Sequence, residues 1–234
     1  MICPSCQSEA APGARFCPDC GAALPVAAPR QDETRLVTVL FADMSGSVAT
    51  THDLDPESAL ERVNEALEVM SRAVVRNGGR VDRYLGDGIL ALFGVPRASE
   101  DDPMRAIATA LEMRDESHRR GFEVTAGINT GDAYVGRVGS EAHRELTAMG
   151  PAVNLASRLQ GRCEPGEVLV GETTWRLTRR AFEFEPRETR IKGLAEPVRA
   201  WVALRAQPRP ERARGLEGLL TALVGREEEI ERLS

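Results

Sequence analysis

Two aspartates, Asp43 and Asp87, occupy positions where carboxylates could hold divalent metal ions. Asp43 follows a nearly unbroken apolar run, residues 36–42, which is typical of a strand buried on both faces. Asp87 lies between Gly86 and Gly88, and its Asp-Gly step favours a tight hairpin. Hard cations prefer carboxylate oxygens. If the first strand neighbours this hairpin, the two carboxylates could share two such ions.

The residues after Asp43 are mostly small, so their backbone N–H groups could face a bound anion such as phosphate. These candidate substrate-binding residues are Met44, Ser45, Gly46 and Ser47. Plainer interpretations exist for both aspartates, because Asp43 could cap a turn and Asp87 could simply fill the hairpin. The residues alone leave both interpretations open.

A third candidate pair lies further along the chain. Asn154 and Arg158 are four residues apart in a predicted helix, 151–160, so both side chains leave from one face and can reach a common ligand. The alternative is a polar helix face that contacts water.

The cysteines predict a second kind of metal site. Cys3 and Cys6 form one Cys-x-x-Cys pair, and Cys17 and Cys20 form another. Two such knuckles can present four thiolates to Zn²⁺ in tetrahedral geometry. The alternative, a pair of reactive dithiols, leaves a very small segment without a means to fold, whereas zinc stabilises it. We predict a structural zinc ribbon.

The elements that position these residues predict an α+β domain. Their order is βαββαβ, the split βαβ or ferredoxin-like arrangement, in which helices cover one face of an antiparallel sheet. The predicted elements are strands at 36–42, 80–85, 89–93 and 122–128 and capped helices at 56–77 and 103–120. Further strands at 133–138 and near Val168, Thr189 and Trp201, with the helix 151–160, extend the same domain.

Composition and linker signals divide the chain into four segments. They are a zinc ribbon at 1–24, a Pro- and Ala-rich linker at 25–34, the main domain at 35–205, and a linker with the start of another module at 206–234. The last segment resembles the lead-in to AAA-type or signal-transduction ATPase modules. No Gly-x-x-x-x-Gly-Lys phosphate loop occurs in the sequence, so we assign no ATPase.

Charge and hydropathy limit the kinds of molecule that this chain is expected to bind. The net charge is −6, with acidic and basic residues interspersed, which argues against a nucleic-acid-binding surface or a polybasic membrane anchor. The sequence has no secretory leader pattern and no apolar stretch of about 18 residues. We expect a cytoplasmic protein that binds a small molecule, without nucleic-acid or membrane partners.

Three sequence blocks resemble the signature blocks of class III adenylate and guanylate cyclases, in their usual order. They are Val-Thr-Val-Leu-Phe-Ala-Asp-Met-Ser-Gly-Ser at 37–47, Tyr-Leu-Gly-Asp-Gly-Ile-Leu-Ala-Leu-Phe-Gly at 84–94 and Gly-Pro-Ala-Val-Asn-Leu-Ala-Ser-Arg-Leu at 150–159. The resemblance covers about residues 35–205. It implies a lyase of intracellular signalling that converts a purine nucleoside triphosphate to the 3′,5′-cyclic monophosphate and pyrophosphate.

The resemblance also implies roles for the candidate residues. Asp43 and Asp87 would hold two Mg²⁺ or Mn²⁺ ions at each active site. Asn154 would orient the ribose, and Arg158 would stabilise transition-state charge. The metal aspartates would come from one subunit and the other groups from its partner, which implies a homodimer with two sites at its interface.

The purine-binding positions depart from the family pattern. Family members usually place Lys where this chain has Arg83, and Thr147 matches the Thr-bearing subgroup associated with adenylate cyclases. Thr147 therefore favours ATP, while the bulkier Arg83 leaves GTP open. Lys192 resembles a lysine that family members direct at the triphosphate, although it could equally be a solvated surface residue.

Two further alternatives remain from the sequence. One is a cyclase-like regulatory module that binds a nucleotide without turnover, which Arg83 and the attached zinc ribbon would suit. The other makes the ribbon a nucleic-acid or protein adaptor, although its segment has no basic face.

Overall fold

The computed structural model describes residues 2–11, 16–23, 33–45, 55–139, 144–190 and 197–207. Within these ranges the main domain has eight strands in one sheet and four helices. The elements are β1 (Glu33–Ser45), α1 (Pro56–Arg76), β2 (Arg80–Leu85), β3 (Gly88–Phe93), α2 (Asp102–Arg119), β4 (Glu123–Gly139), β5 (Arg144–Met149), α3 (Pro151–Gln160), β6 (Val168–Gly171), α4 (Glu172–Thr178), β7 (Phe182–Thr189) and β8 (Val198–Ala206).

The first six elements of the domain confirm the predicted βαββαβ order. Their strands lie in the order β2-β3-β1-β4, with β1 antiparallel to both β3 and β4. The sheet then continues through β6, β8 and β7, and β5 pairs with β4. The domain is therefore α+β and ferredoxin-like at its centre, as predicted.

Helix α1 begins where its sequence signals predict. The Asp55 side chain accepts hydrogen bonds from the backbone N–H groups of Glu57 and Ser58, and Pro56 occupies the first turn. Met70 and Val74 are fully buried, whereas Leu60, which shares their helical spacing, is exposed. Gly78 adopts a positive φ of 70° directly after the helix, a conformation that suits glycine.

The core lies on both faces of β1, as its apolar run predicts. Leu40 packs on one face within a cluster that includes residues of α1 and α2. Val37 and Val39 pack on the other face, against Ala152 and Ala156 of α3. Successive side chains of a strand point to opposite faces, so Asp43 belongs to the same face as Val37 and Val39. The sheet thereby presents Asp43 on the face that carries α3.

Three parts of the predicted element pattern were wrong. The strands predicted at 122–128 and 133–138 form one continuous strand, β4, because Asn129 and Thr130 pair with residues of β1 without a break. The strand β5 was not predicted. The helix α4, which buries Thr174 and Thr178, was not predicted either. Its seven residues are too few to show a clear helical period.

The N-terminal segment forms two matching hairpins around its cysteines. The backbone N–H of Cys3 donates to the Ser8 carbonyl at 2.9 Å, and that of Cys17 donates to the Ala22 carbonyl at 2.9 Å. Isolated bridges join Ile2 to Glu9 and Phe16 to Ala23. In the described ranges of the chain, no helix is both long enough and apolar enough to cross a membrane.

Candidate active site

The sheet brings Asp43 and Asp87 together. Asp43 pairs with Gly88 across β1 and β3, and Asp87 is the turn residue immediately before Gly88. The pKa of Asp43 is raised to about 6, first by burial, then by the negative charge of Asp87 and by a hydrogen bond between the two side chains. The predicted proximity of these two carboxyl groups is therefore present in the structure.

Gly88 makes room for the carboxylate of Asp43. A Cβ atom at Gly88 would lie 2.6 Å from the Ala42 carbonyl oxygen and 2.8 Å from Asp43 Oδ1. Both distances are too short for van der Waals contact with a methyl group. The glycine after Asp87 thus serves the site as well as the turn.

The Asp43 and Asp87 pair fits a divalent cation. Asp43 Oδ1 is buried and accepts no hydrogen bond within the described part of the chain. In the same residues, no Lys or Arg forms an ion pair with either carboxylate. Two close carboxylates without a counter-charge are unfavourable unless a proton or a cation joins them. Oxygen ligands of this kind suit Mg²⁺ or Mn²⁺.

The residues after Asp43 lie partly outside the described ranges. Met44 and Ser45 complete β1, where they pair with Val124 and Glu123 of β4. The Met44 side chain is buried in the core, and its backbone N–H donates to the Asp43 carboxylate. Gly46 and Ser47, the other two candidate anion-binding residues, fall outside the described residues, as does Lys192.

The structure also brings Arg83 and Thr147 together. Arg83 Nη2 donates to Thr147 Oγ1 at 2.7 Å, although the two residues are 64 positions apart. Arg80 reinforces the contact between β2 and β5, because its Nη2 donates to the Leu146 carbonyl at 2.9 Å. The two residues that resemble purine-binding positions therefore form one cluster.

Asp82 belongs to the same cluster, and the sequence analysis missed it. Its Oδ2 accepts hydrogen bonds from Thr147 Oγ1 at 2.7 Å and from Arg83 Nε at 3.1 Å. Its side chain is only 1% exposed, while that of Arg83 is 43% exposed. The only signal in the sequence was an acidic residue inside a short strand, which is disfavoured there.

Asn154 and Arg158 lie on the exposed face of α3. The opposite face of the helix buries Ala152, Ala156 and Leu159. Within the described ranges, the side chains of Asn154 and Arg158 make no hydrogen bond or ion pair. No such contact joins them to the Asp43 and Asp87 pair or to the Arg83 cluster in those ranges either. The helix thus presents both groups to one side, as predicted, without a partner among the residues that the structure describes.

The four N-terminal cysteines form a cluster that fits zinc. Their sulfur atoms all lie within 4.8 Å of one another, with Cys3 Sγ 3.6 Å from Cys20 Sγ and Cys6 Sγ 3.5 Å from Cys17 Sγ. Disulfide sulfurs would be about 2 Å apart. Ligands at about 2.3 Å from a tetrahedral zinc are about 3.8 Å apart. A hydrogen bond with the Ser8 side chain is the main cause that lowers the pKa of Cys6 to about 6, which favours a metal-binding thiolate.

Comparison with known families agrees with this geometry. The model of the adenylate and guanylate cyclase catalytic domain matches residues 30–203, and a zinc-ribbon domain model matches residues 2–24. The first match covers most of the chain. The chain therefore belongs to the family of adenylate and guanylate cyclase catalytic domains, and it carries a zinc-ribbon segment at its N-terminus.

Curated relatives match in the same region. The adenylate cyclase of Anabaena cylindrica is 31% identical over 139 residues, which is 55% of this chain and 27% of that protein. The terminal-differentiation-specific adenylate cyclase of Dictyostelium discoideum is 32% identical over 137 residues, or 55% of this chain and 6% of that protein. The chain spans about a third or less of the length of the curated relatives it matches.

Solved structures share the fold. The adenylyl cyclase CyaB from P. aeruginosa superposes with a TM-score of 0.70 at 27% identity, over 75% of this chain and 97% of that chain. The guanylyl cyclase Cya2 superposes with a TM-score of 0.71 at 29% identity, over 77% of this chain and 98% of that chain. Similar values for an adenylyl and a guanylyl cyclase mean that the fold does not select the base.

Proposed function

We propose that this domain converts ATP to 3′,5′-cyclic AMP and pyrophosphate, as a cytoplasmic phosphorus–oxygen lyase in signalling. The observation that carries the proposal is the pair of close carboxylates, Asp43 and Asp87, on a cyclase fold. ATP is favoured over GTP because Thr147 matches the Thr-bearing subgroup and because curated relatives include adenylate cyclases. A cluster of four cysteines that suits a metal ion and not disulfides is typical of a protein in a reducing compartment.

In this proposal Asp43 and Asp87 hold two Mg²⁺ or Mn²⁺ ions. When bound, these ions would promote loss of the ribose 3′-hydroxyl proton and neutralise charge on the triphosphate. The 3′-oxygen forms a bond to the α-phosphorus, the bond from the α-phosphorus to the bridging oxygen breaks, and pyrophosphate leaves with the electron pair. Backbone N–H groups of residues 45–47 and the Lys192 side chain bind the triphosphate.

The remaining groups bind and orient the nucleotide. Arg83 and Thr147 contact the purine, Asn154 orients the ribose, and the Arg158 guanidinium stabilises the charge that builds up on the transferred phosphorus. A positioned donor of this kind contributes most when water is excluded from it. The exposed face of α3 becomes such a site only when another surface covers it.

We infer that a second copy of the chain supplies that surface. Within the described residues of one chain, Asn154 and Arg158 have no hydrogen-bond or ion-pair partner, and neither kind of contact joins them to the Asp43 and Asp87 pair. A two-fold homodimer would place the metal-binding carboxylates of one subunit opposite α3 of the other, which gives two equivalent sites. Cys3, Cys6, Cys17 and Cys20 hold a structural zinc ion outside these sites.

The test is cyclic-nucleotide formation by the purified protein with ATP or GTP and Mn²⁺. We expect cyclic AMP from the native protein and from a Glu185→Ala control, and none from Asp87→Ala. Glu185 is an exposed carboxylate on β7, at the sheet edge opposite to β2. Cyclic GMP alone would reassign the substrate. Nucleotide binding by an intact dimer without any product would contradict the enzyme and favour a regulatory module.

A further inference from the structure

The face of β4 that lies under α3 carries an alternating set of small and polar residues. Thr125, Gly127, Asn129 and Gly131 occupy every second position of the strand and therefore share one face of the sheet. All four lie against α3, and we call them the α3-contact face. Thr125 is 5% exposed and so is Asn129, so each of these polar side chains needs a hydrogen-bond partner.

The two glycines of the α3-contact face let the helix approach the strand closely. A Cβ atom at Gly127 would lie 2.2 Å from the backbone nitrogen of Gln160 and 2.3 Å from the carbonyl oxygen of Ala156. A Cβ atom at Gly131 would lie 3.2 Å from Ala152 Cβ, near the other end of the helix. Both ends of α3 therefore lie directly on the backbone of β4, so the position of the helix depends on this face.

Two side-chain hydrogen bonds hold the ends of α3 on the same face. At the start of the helix, Asn129 Nδ2 donates to the Ala152 carbonyl at 3.3 Å. At its end, Gln160 Nε2 donates to Thr125 Oγ1 at 3.0 Å. The single Thr125 hydroxyl proton is donated to the Asp43 carbonyl at 3.3 Å, so Gln160 has to be the donor. Each bond fixes one turn of the helix, because hydrogen bonds are directional.

Each hydrogen-bonded residue of α3 lies behind one of the two exposed groups of the helix. Asn154 is two positions after Ala152, and Arg158 is two positions before Gln160. Two positions correspond to about 200° around an α-helix, so a residue and its second neighbour point in nearly opposite directions. Ala152 is buried and Gln160 is partly buried, whereas Asn154 and Arg158 are exposed. Each hydrogen bond to β4 therefore fixes the turn of helix that presents one exposed group.

We propose that Asn129 and Gln160 are positioning residues. Asn129 orients Asn154 across the first turn of α3, and Gln160, bonded to Thr125, orients Arg158 across the last turn. This assignment rests on the proposed cyclase function, in which both exposed groups contact the nucleotide. Placement matters because a shift of about 1 Å at a reacting centre can lower the rate about a hundredfold. Neither positioning residue contacts the nucleotide, so each acts only through its own exposed group.

The main test variant is Gln160→Met. It removes the amide donor, keeps the length of the side chain and leaves the hydrogen bond from Thr125 to Asp43 in place. We expect it to lower kcat about tenfold, because the Arg158 guanidinium loses its fixed position. Asn129→Ala removes the hydrogen bond at the start of α3 and should lower kcat by a similar factor. A kcat of Gln160→Met within about twofold of native would overturn the proposal.

A double-mutant cycle shows which group each positioning residue acts through. In an Arg158→Ala background, Gln160→Met should cause no further loss of kcat, because the group that Gln160 positions is gone. Asn129→Ala should keep its full loss in that background, because it acts through Asn154. If the two residues only support the fold, each change should cause the same loss in both backgrounds, and that result would overturn the proposal.

Thr174→Val is the matched control for the loss of a buried hydrogen bond. Thr174 is fully buried, and its hydroxyl bonds with that of Thr130 at 3.0 Å on the opposite face of β4. The control should lower thermal stability at least as much as Gln160→Met does, while kcat stays within about twofold of native. An equal fall in kcat for the control and for Gln160→Met would also contradict the positioning role.

Amide hydrogen exchange keeps this inference apart from the cyclase proposal, because it needs no turnover. Gln160→Met should speed exchange of the backbone amides of residues 157–160 about tenfold, in line with the loss of one hydrogen bond, and Thr174→Val should not. This local change in a protein that forms no cyclic AMP would support the positioning role and sink the cyclase proposal. Cyclic AMP formation together with unchanged exchange in Gln160→Met would support the cyclase and overturn the positioning role.

Discussion

The two candidate metal-binding regions of this chain are built in opposite ways. The four cysteines come from 18 consecutive positions, Cys3 to Cys20, and their sulfurs already lie within 4.8 Å of one another. Asp43 comes from β1 and Asp87 from the turn between β2 and β3, and their proximity depends on the sheet register between β1 and β3. Closed four-thiolate sites stabilise folds, whereas sites with few protein ligands leave room for substrate. The first region is complete in one chain, whereas the second, in our proposal, receives a substrate and a partner subunit.

The largest expected effect is the loss of the ribbon after Cys17→Ser. Zinc in small ribbons contributes about 10–16 kcal/mol of binding free energy, and the segment has little core of its own. We expect bound zinc to fall from one ion per chain to none, and residues 1–24 to become sensitive to protease. Cyclase activity of the remaining domain should stay within about twofold of native, measured beside a Cys163→Ser control. Normal zinc content in Cys17→Ser would contradict a four-cysteine zinc site, and with it the contrast between a closed site and an open one.

The second-largest expected effect is the loss of kcat when Arg158, on the exposed face of α3, is replaced. Removing one preorganised charge-stabilising donor lowers kcat by about 100- to 1,000-fold. We therefore expect Arg158→Ala to lose this factor in kcat with little change in thermal stability, because Arg158 is exposed. Arg162→Ala, an exposed arginine just after the helix, is the matched control. Equal losses in both variants would assign the effect to surface charge instead of to Arg158.

Mixing of subunits tests whether the site with Asp43 and Asp87 needs residues from a second chain. Asp43→Asn and Asn154→Ala should each be inactive alone. In a mixed dimer one site would carry both changes and the other neither, so an equal mixture should recover about a quarter of native activity at random exchange. Size-exclusion chromatography should show dimers in every sample. No recovery despite demonstrated exchange would mean that both residues serve the same site from one chain.

The smallest expected effect is the change that Asp43→Asn makes in the free energy of unfolding of the metal-free protein. The pKa of Asp43 is raised to about 6 in the folded state, so the folded state holds a proton more tightly than the unfolded state does. Metal-free stability should therefore fall as pH rises from about 4 to 6, and stay low above pH 6. Asp43→Asn removes this penalty and should stabilise the metal-free protein at pH 7 by about 1 kcal/mol, after allowance for solvent screening of a half-buried group.

Urea unfolding at pH 4, 6 and 7.5 would measure this difference between Asp43→Asn and the native protein. The difference should shrink towards zero near pH 4. Added Mn²⁺ should stabilise the native protein and have no such effect on the variant, because a ligand stabilises only the state that binds it. A pH-independent difference would mean that the Asp43 carboxylate is not the titrating group.

Strong local signals explain which parts of the fold could be predicted. The Asp55 cap and the apolar spacing of α1 are contained in the sequence itself, as is the Gly86-Asp87-Gly88 hairpin. The middle of β4 was missed because Asn129 and Thr130 are polar. Their polarity is satisfied inside the fold, where Thr130 hydrogen-bonds with Thr38 and Thr174. Such partners are 44 or more positions away and cannot be read from a local window.

Some residues of the candidate site could likewise be predicted from the sequence, and others could not. The pairing of Asp43 with Asp87 followed from the strand order, while the roles of Asn154 and Arg158 came only from resemblance to the cyclase family. Asp82 could not be found from either source. Its burial depends on a register shift between β2 and β3 and on contact with Thr147 of β5. Sequence spacing does not encode such a shift.

The pairing of β1 with β4 has a mechanical consequence. Thirteen successive residues of β1, Glu33–Ser45, pair with β4 without a bulge, and the far half of β4 carries β5 and Thr147. A slip of one residue would turn every buried side chain to the wrong face. One continuous antiparallel ladder therefore links the proposed metal-binding and base-binding groups of a subunit. In the proposed homodimer, we expect regulation to rotate whole subunits against each other, without rearranging either one.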